Sequence, residues 1–237
     1  DAKSGDIIHT ISGHLGAING LAFSPTGDRI ASASVDKTVK VWDPKSGEEI
    51  FMVTGHTAKV NELSFSPNGT RLASASDDNT VRLWNTETGE EVAVLKGHTS
   101  SVTGVATSSD GNRLVSSSRD GTIKLWDAHA HEETATLTGH QGTVYDVAFS
   151  PDGSCFASAG YDNTVKLWDG ETGSEIRTFT GHTGLVRTVA FDRAGKRLVS
   201  GGYDTKIRVW DVASGKQIAT AHANSGAVFG VAFSPDG

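Results

Sequence analysis

GHTAKVNELSFSPNGTRLASASDDNTVRLWN, residues 55–85, decides the fold. Apolar, β-branched and aromatic residues come in short runs, and each run ends in residues that turn the chain. Residues 59–65 read as one strand, and Ser66-Pro67-Asn68-Gly69 stops it. Pro presets the φ that a turn needs, and Gly is free to take φ > 0. Residues 71–76 read as the next strand, 77–79 as a tight turn, and 80–84 as a strand closing on Trp84. Upstream, residues 48–53 supply a further strand, joined through Gly55-His56, and residues 86–89 turn the chain again. Such side chains suit a pleated, half-buried surface. Helical spacing of apolar residues is absent. The unit is four short strands, and the chain is all-β.

The unit recurs. Trp42, Trp84, Trp126, Trp168 and Trp210 lie 42 residues apart. Gly-His pairs at 13–14, 55–56, 97–98, 139–140 and 181–182 keep the same step. So do Asp36, Asp78, Asp120, Asp162 and Asp204, each six residues before a Trp. Three residue types sharing one period mark a repeat array. Repeats run 1–42, 43–84, 85–126, 127–168 and 169–210, with a partial one at 211–237, in a single domain spanning 1–237. One four-stranded sheet cannot bury both faces, whereas radial stacking buries them and leaves only short edges.

A repeat of this length, with Gly-His near one end and Trp-Asp at the other, resembles the WD-repeat (G-beta-like) β-propeller family across the whole chain. The resemblance implies five complete four-stranded blades. It also implies an opening outermost strand at 6–11 and a closing innermost strand at 227–233. The 237 residues fall 15 short of six periods and 57 short of seven, the family's commonest ring. The expectation is a ring truncated at its C-terminal end, completed by more chain, a second copy or a partner. Ala223-Asn224 stands where a sixth Gly-His pair would, so that unit is expected to lack the repeated polar set.

Composition narrows the function classes. Hydrophobic residues make up 36% and charged residues 21%, ordinary for a globular chain. The net charge of −7 argues against phosphate-backbone binding, which needs clustered Lys and Arg. No nucleic acid is expected. No membrane is expected either, since no apolar run approaches ~20 residues. The single Cys155 cannot close an internal disulfide, and residues 1–10 are polar, so a cytoplasmic setting is expected.

Repeated His, Ser and Asp are triad vocabulary. A catalytic site occurs once, however, and this set occurs five times. The resemblance assigns His14, His56, His98, His140 and His182, with Ser32, Ser74, Ser116, Ser158 and Ser200, to a buried hydrogen-bond chain. Asp36, Asp78, Asp120, Asp162 and Asp204, with Trp42, Trp84, Trp126, Trp168 and Trp210, complete each set. An enzyme would need an off-period cluster of acids, His or metal ligands in the central channel. The sequence reads as having none, so no catalytic residue, cofactor or metal is expected. His129-x-His131 reads as an exposed turn rather than a metal site. Cys155, standing where other repeats have Arg29, Arg71, Arg113 and Arg197, reads as a strand bystander. Lys40, Arg82, Lys124, Lys166 and Arg208 recur opposite outer-strand acids such as Glu48, Glu49, Glu90 and Glu91, as cross-strand ion pairs.

If shared positions are scaffold, variable ones carry function. The resemblance places partner contacts on the top face, at sites three and five residues after His and just before the turn Asp. The first reads Ala17, Lys59, Ser101, Thr143, Leu185, Ala227; the second Asn19, Asn61, Thr103, Tyr145, Arg187, Phe229; the third Val35, Asp77, Arg119, Tyr161, Tyr203. Period-two alternation points the first two columns the same way. Tyr145, Arg187, Phe229, Tyr161, Tyr203, Arg119 and Leu185 gather in the later repeats, and Tyr and Arg are enriched at interface hot spots. The expected function is a non-enzymatic scaffold that binds a protein or peptide partner, or other domains of the same parent chain, within a larger signalling or sensor protein. A structural or designed ring without a partner is the alternative, and a propeller enzyme a distant third.

Overall fold

The computed structural model describes residues 4–223 and 226–234. It holds five antiparallel four-stranded sheets, each built from strands consecutive in sequence. The first has β1 (Ile18–Phe23), β2 (Ile30–Ser34), β3 (Val39–Trp42) and β4 (Glu49–Val53). The second has β5 (Val60–Phe65), β6 (Arg71–Ser76), β7 (Thr80–Asn85) and β8 (Glu91–Lys96). The third has β9 (Val102–Thr107), β10 (Arg113–Ser118), β11 (Ile123–Asp127) and β12 (Glu132–Leu137). The fourth has β13 (Val144–Phe149), β14 (Cys155–Gly160), β15 (Val165–Asp169) and β16 (Glu175–Phe179). The fifth has β17 (Val186–Phe191), β18 (Arg197–Gly202), β19 (Lys206–Asp211) and β20 (Gln217–His222). No helix of the described residues is long and apolar enough to cross a membrane.

Each sheet is a blade whose first strand packs on the first strand of the next. The apolar clusters form between blades. Ala31, Ala33, Val39, Val41 and Val53 of the first blade bury against Val60, Leu63, Leu72 and Trp84 of the second. Full burial of one such Val or Leu contributes about 1.5–3 kcal/mol. The second and third, third and fourth, and fourth and fifth blades meet through equivalent residues. The first blade's opposite face carries Ile18 and Leu21 in the register of Val60 and Leu63, and there they are 51% and 65% exposed.

The strands expected at both ends are a correction. Residues 6–11 and 227–233 form no ladder, because a strand needs a partner about 4.8 Å away to satisfy its backbone groups. Both segments nevertheless lie where those strands would run. His9 packs on Gly47 as Phe51 packs on Gly89, one period later, and its Nε2 lies 2.6 Å from the Lys45 carbonyl. Val228 donates its N–H to the Gly202 carbonyl at 3.0 Å and is buried. Asn224, expected to break the polar pattern, lies outside the described residues.

A recurring arginine ties blades together. Arg71 Nη1 donates to the Ala128 carbonyl at 2.6 Å, Arg113 Nη1 to the Gly170 carbonyl at 2.5 Å, and Arg29 Nη1 to the Thr86 carbonyl. In each pair the acceptor lies 57 residues on, in the following blade. The fourth blade has Cys155 here, half-buried, so the tie to Val212 is missing. Cys155→Arg is expected to restore it. A gain of about 1 kcal/mol is the net of a charge-assisted bond and its desolvation, raising the melting temperature by roughly 2–4 °C. An unchanged or lower melting temperature in scanning calorimetry would count against the tie.

Candidate interaction face and channel

The polar set closes into one chain of bonds per blade. In the second blade the Trp84 indole N–H donates to Ser74 Oγ at 2.8 Å, Ser74 Oγ lies 2.7 Å from His56 Nε2, and His56 Nδ1 lies 2.7 Å from Asp78 Oδ2. With a neutral imidazole one assignment satisfies all three contacts: Ser donates to Nε2, and Nδ1–H donates to the carboxylate. Asp78 also accepts the backbone N–H groups of Thr57 and Thr80 and the Thr80 hydroxyl, at 3.0, 3.0 and 2.6 Å. The sets of His14, His98, His140 and His182 repeat the same bonds. In the fifth blade Lys206 replaces the threonine, and only its backbone N–H reaches Asp204.

Burial depresses the protonation of His56, His98 and His182, overcoming their aspartates. Burial pushes the aspartates up, but hydrogen bonds outweigh it. All five fall below the ordinary carboxylate range, Asp120 to about 2. Stability from these histidines is fully present above their ordinary value and lost as pH falls below it; stability from the aspartates is lost as pH falls through the carboxylate range. Both contributions make the fold acid-sensitive.

Outside the chain, Lys40 pairs with Glu49 at 2.5 Å, Lys124 with Glu133 at 2.7 Å and Lys166 with Glu175 at 2.9 Å, and Arg82 pairs with Glu91. Glu49 and Glu91 are thus the partners, not Glu48 and Glu90; in the fifth blade Arg208 bonds Gln217. His131 holds φ = 60° where other repeats have Gly, and its Nε2 lies 3.5 Å from Arg71 Nη1. His129 Nε2 lies 3.1 Å from Asn112 Oδ1. Burial pushes the Cys155 thiol up, so it is a poor nucleophile.

The surface columns are arranged differently from what alternation implies. The second-column residue of each complete blade is the extra residue of a bulge in the innermost strand: Asn19, Asn61, Thr103, Tyr145 and Arg187 all fall between paired positions. A bulge breaks the two-residue alternation and re-aims the side chain. Three of these residues are scaffold. Asn19 Nδ2 donates to the Val60 carbonyl at 2.8 Å, Asn61 Nδ2 to Val102 at 2.7 Å, and Thr103 Oγ1 to Val144 at 2.5 Å, each tying one blade to the next. The pattern changes at Tyr145. Its ring lies under the Arg187 guanidinium, 5.5 Å from centroid to Cζ, and Arg187 Nη1 donates to the Tyr145 carbonyl at 3.4 Å. Tyr203 and Phe229 meet edge to face at 5.9 Å, and both are exposed. Tyr161 is 57% exposed yet rests on Gly142. Arg119 is exposed with no ion pair among the described residues, and Leu185 is half-buried. The first and third columns adjoin throughout, as in the Tyr203 N–H to Leu185 carbonyl bond at 2.9 Å.

The residue after four of the five bulges, Gly20, Glu62, Asp146 or Thr188, lines a central cavity of about 430 Å³, which Gly230 also lines. Two off-period acids are therefore present in the channel, which corrects the expectation of none. Comparing this one column across repeats would have found them. Asp146 accepts the N–H groups of Val147 at 2.8 Å and Val189 at 3.0 Å. Among the described residues, Glu62 accepts only its neighbour Leu63 N–H, at 3.2 Å. Desolvation, then the nearby Asp146 charge, push Glu62 up to about 8, and desolvation raises Asp146. Stability linked to Glu62 is full below its ordinary value and lost as pH rises toward 8. Glu62→Gln is expected to raise the melting temperature at alkaline pH and leave it nearly unchanged near pH ~5. An equal shift at both would show that Glu62 does not titrate in this window.

Consecutive four-stranded antiparallel sheets, packed through their innermost strands around a channel and each closed by a Trp–Ser–His–Asp chain, are the blades of a β-propeller. The family profile described as "WD domain, G-beta repeat" matches residues 5–43, 47–85, 89–127, 131–169 and 173–211, and the chain belongs to that family. A stretch of 36 residues is 58% identical to human Striatin-4, covering 15% of this chain and 5% of that protein. Another of 41 residues is 42% identical to the Periodic tryptophan protein 2 homolog of Schizosaccharomyces pombe, covering 17% and 5%. The chain thus matches about one repeat of each relative. Members of the family generally serve as protein-interaction modules without catalytic activity.

Proposed function

We propose that this chain binds a protein or peptide on the face formed by the Gly-His loops and Asp turns, through the arc of its later blades, and catalyses no reaction. One observation carries the reading. Asn19, Asn61 and Thr103 spend their side chains on the neighbouring blade, whereas from Tyr145 onward the same column turns aromatic and basic, Arg187 stacking on half-buried Tyr145 and exposed Phe229 meeting Tyr203. Exposed Tyr161, Tyr203 and Phe229 extend the patch, and scaffold stability gives no reason to leave such rings in water. Arg119 and Leu185 flank it. The partner is a separate protein or another domain of a longer parent chain of the signalling or sensor type. Peptides selected from a display library on the intact chain test this. Tyr145→Ala with Arg187→Ala is expected to weaken them by about tenfold or more, with melting changed by only a few degrees. Undiminished binding would overturn the reading.

A further inference from the structure

The charges of this face identify the partner's chemistry. Although the chain carries a net −7, the charged side chains of the Gly-His loops and Asp turns, apart from the chain-forming residues, are Lys37, Lys59, Arg119 and the single acid Asp77, with Lys96, Arg187 and Lys206 on the strand ends that border them. Asp77 is already taken: Lys59 Nζ lies 3.4 Å from it, and Asn61 Nδ2 donates to it at 2.8 Å. The five chain-forming aspartates are turned inward, their side chains only 2–14% exposed and bonded to His and backbone N–H groups. The acids of the ion pairs lie on the outermost strands, at Glu49, Glu91, Glu133 and Glu175. Arg187 stacks on Tyr145, and Arg119 is exposed on the turn of the preceding blade, with no rim carboxylate paired to either among the described residues. Arg187 and Phe229 line the mouth of the same channel as Glu62 and Asp146, so Arg187 faces those two acids as well as the rim.

Resting on the interaction reading above, we infer that the aromatic arc takes an acidic peptide segment carrying an aromatic or apolar anchor. Its Asp and Glu carboxylates meet Arg119 and Arg187, and its anchor lies on Tyr161, Tyr203 and Phe229. Guanidinium groups hold carboxylates by paired N–H donors, and Tyr and Phe rings supply contact area at small entropic cost. Of the two channel acids, Glu62 holds its proton up to about 8, and Asp146 is bonded to the N–H groups of Val147 and Val189.

The display-selected peptides decide it by their composition. Recovered sequences are expected to be acidic, to share an aromatic or large apolar residue, and to weaken steeply with added salt. Arg119→Glu alone, a change at an exposed turn that spares the fold, is expected to weaken a recovered acidic peptide about tenfold. The same peptide with Lys in place of its acids should then bind the Arg119→Glu chain better than the unaltered one. Recovery of neutral or basic peptides that are lost in the Tyr145→Ala, Arg187→Ala chain would overturn the acidic assignment while keeping the interaction face. Peptides indifferent to all these substitutions, or no recovery at all, would overturn both. A poly(U) probe that bound more tightly than every recovered peptide would replace the acidic segment with a nucleic acid.

Discussion

Replacing His140 with alanine is expected to lower the unfolding free energy by about 3 kcal/mol, a fall of roughly 6–12 °C in melting temperature. The imidazole joins Ser158 Oγ at 2.7 Å to Asp162 at 3.0 Å, and it is buried. Its loss leaves the Ser158 hydroxyl without its acceptor while the Trp168 indole still donates to that oxygen. Asp162 keeps the N–H groups of Gln141 and Thr164 but loses a donor in a place water reaches poorly. Each stranded group costs about 1–3 kcal/mol, and the emptied volume beside Trp168 adds to it. His129→Ala, at an exposed turn, is the internal control and should move the melting temperature by a degree or so. Calorimetry on the two variants separates the cases; equal melting temperatures would mean the chain of bonds contributes little.

The second large effect compares one residue with its counterpart a period away. Leu63→Ala is expected to cost about 2–4 kcal/mol, and Leu21→Ala less than about 0.5 kcal/mol. Both are leucines at the same register of an innermost strand, 42 residues apart. Leu63 is 5% exposed because the first blade covers it, and Leu21 is 65% exposed. Denaturant midpoints of the two variants measure the difference. A cost at Leu21 approaching that at Leu63 would show that something covers the first blade's free face in solution, such as a second copy.

Much of this architecture is legible in residues 55–85 alone. Turn chemistry at Ser66-Pro67-Asn68-Gly69 and the closing Trp84 place β5 to β7 within a residue or so of their observed limits. The period then carries that reading to every blade, since equal sequence makes equal local structure. What the sequence hid has physical causes. Residues 6–11 and 227–233 have strand composition, but a strand is a relation between two segments, and composition reports only one. The bulges at Asn19, Asn61, Thr103, Tyr145 and Arg187 hid because nothing in those side chains announces an extra residue. Alternation, counted through the bulge, therefore does not fix where the second column points relative to the first. The same slip concealed the channel column, where Glu62 and Asp146 replace the glycines at 20, 104 and 230. The Tyr145–Arg187 and Tyr203–Phe229 contacts lie within the set named from sequence, but the stacking itself was beyond reach.

The hydrogen-bonded pairs of the blade chain have fixed separations, 10 residues for Trp to Ser, 18 for Ser to His and 22 for Asp to His, and the arginine tie spans 57. Gain or loss of one whole period among the five complete repeats, begun at any phase, therefore brings a residue of the same type to every position of the Trp–Ser–His–Asp chain, and to the arginine tie except where Cys155 stands. Replication slippage or unequal crossover in such a gene would change the number of blades while leaving no donor or acceptor of the chain stranded. A change of any other length that fell between the His and the Trp of one repeat would part bonded members of that blade's chain. Between the His and the Trp of each repeat, length is thus a variable that inheritance can alter in whole periods only, with the surface columns of the added or lost blade as the difference a partner would meet.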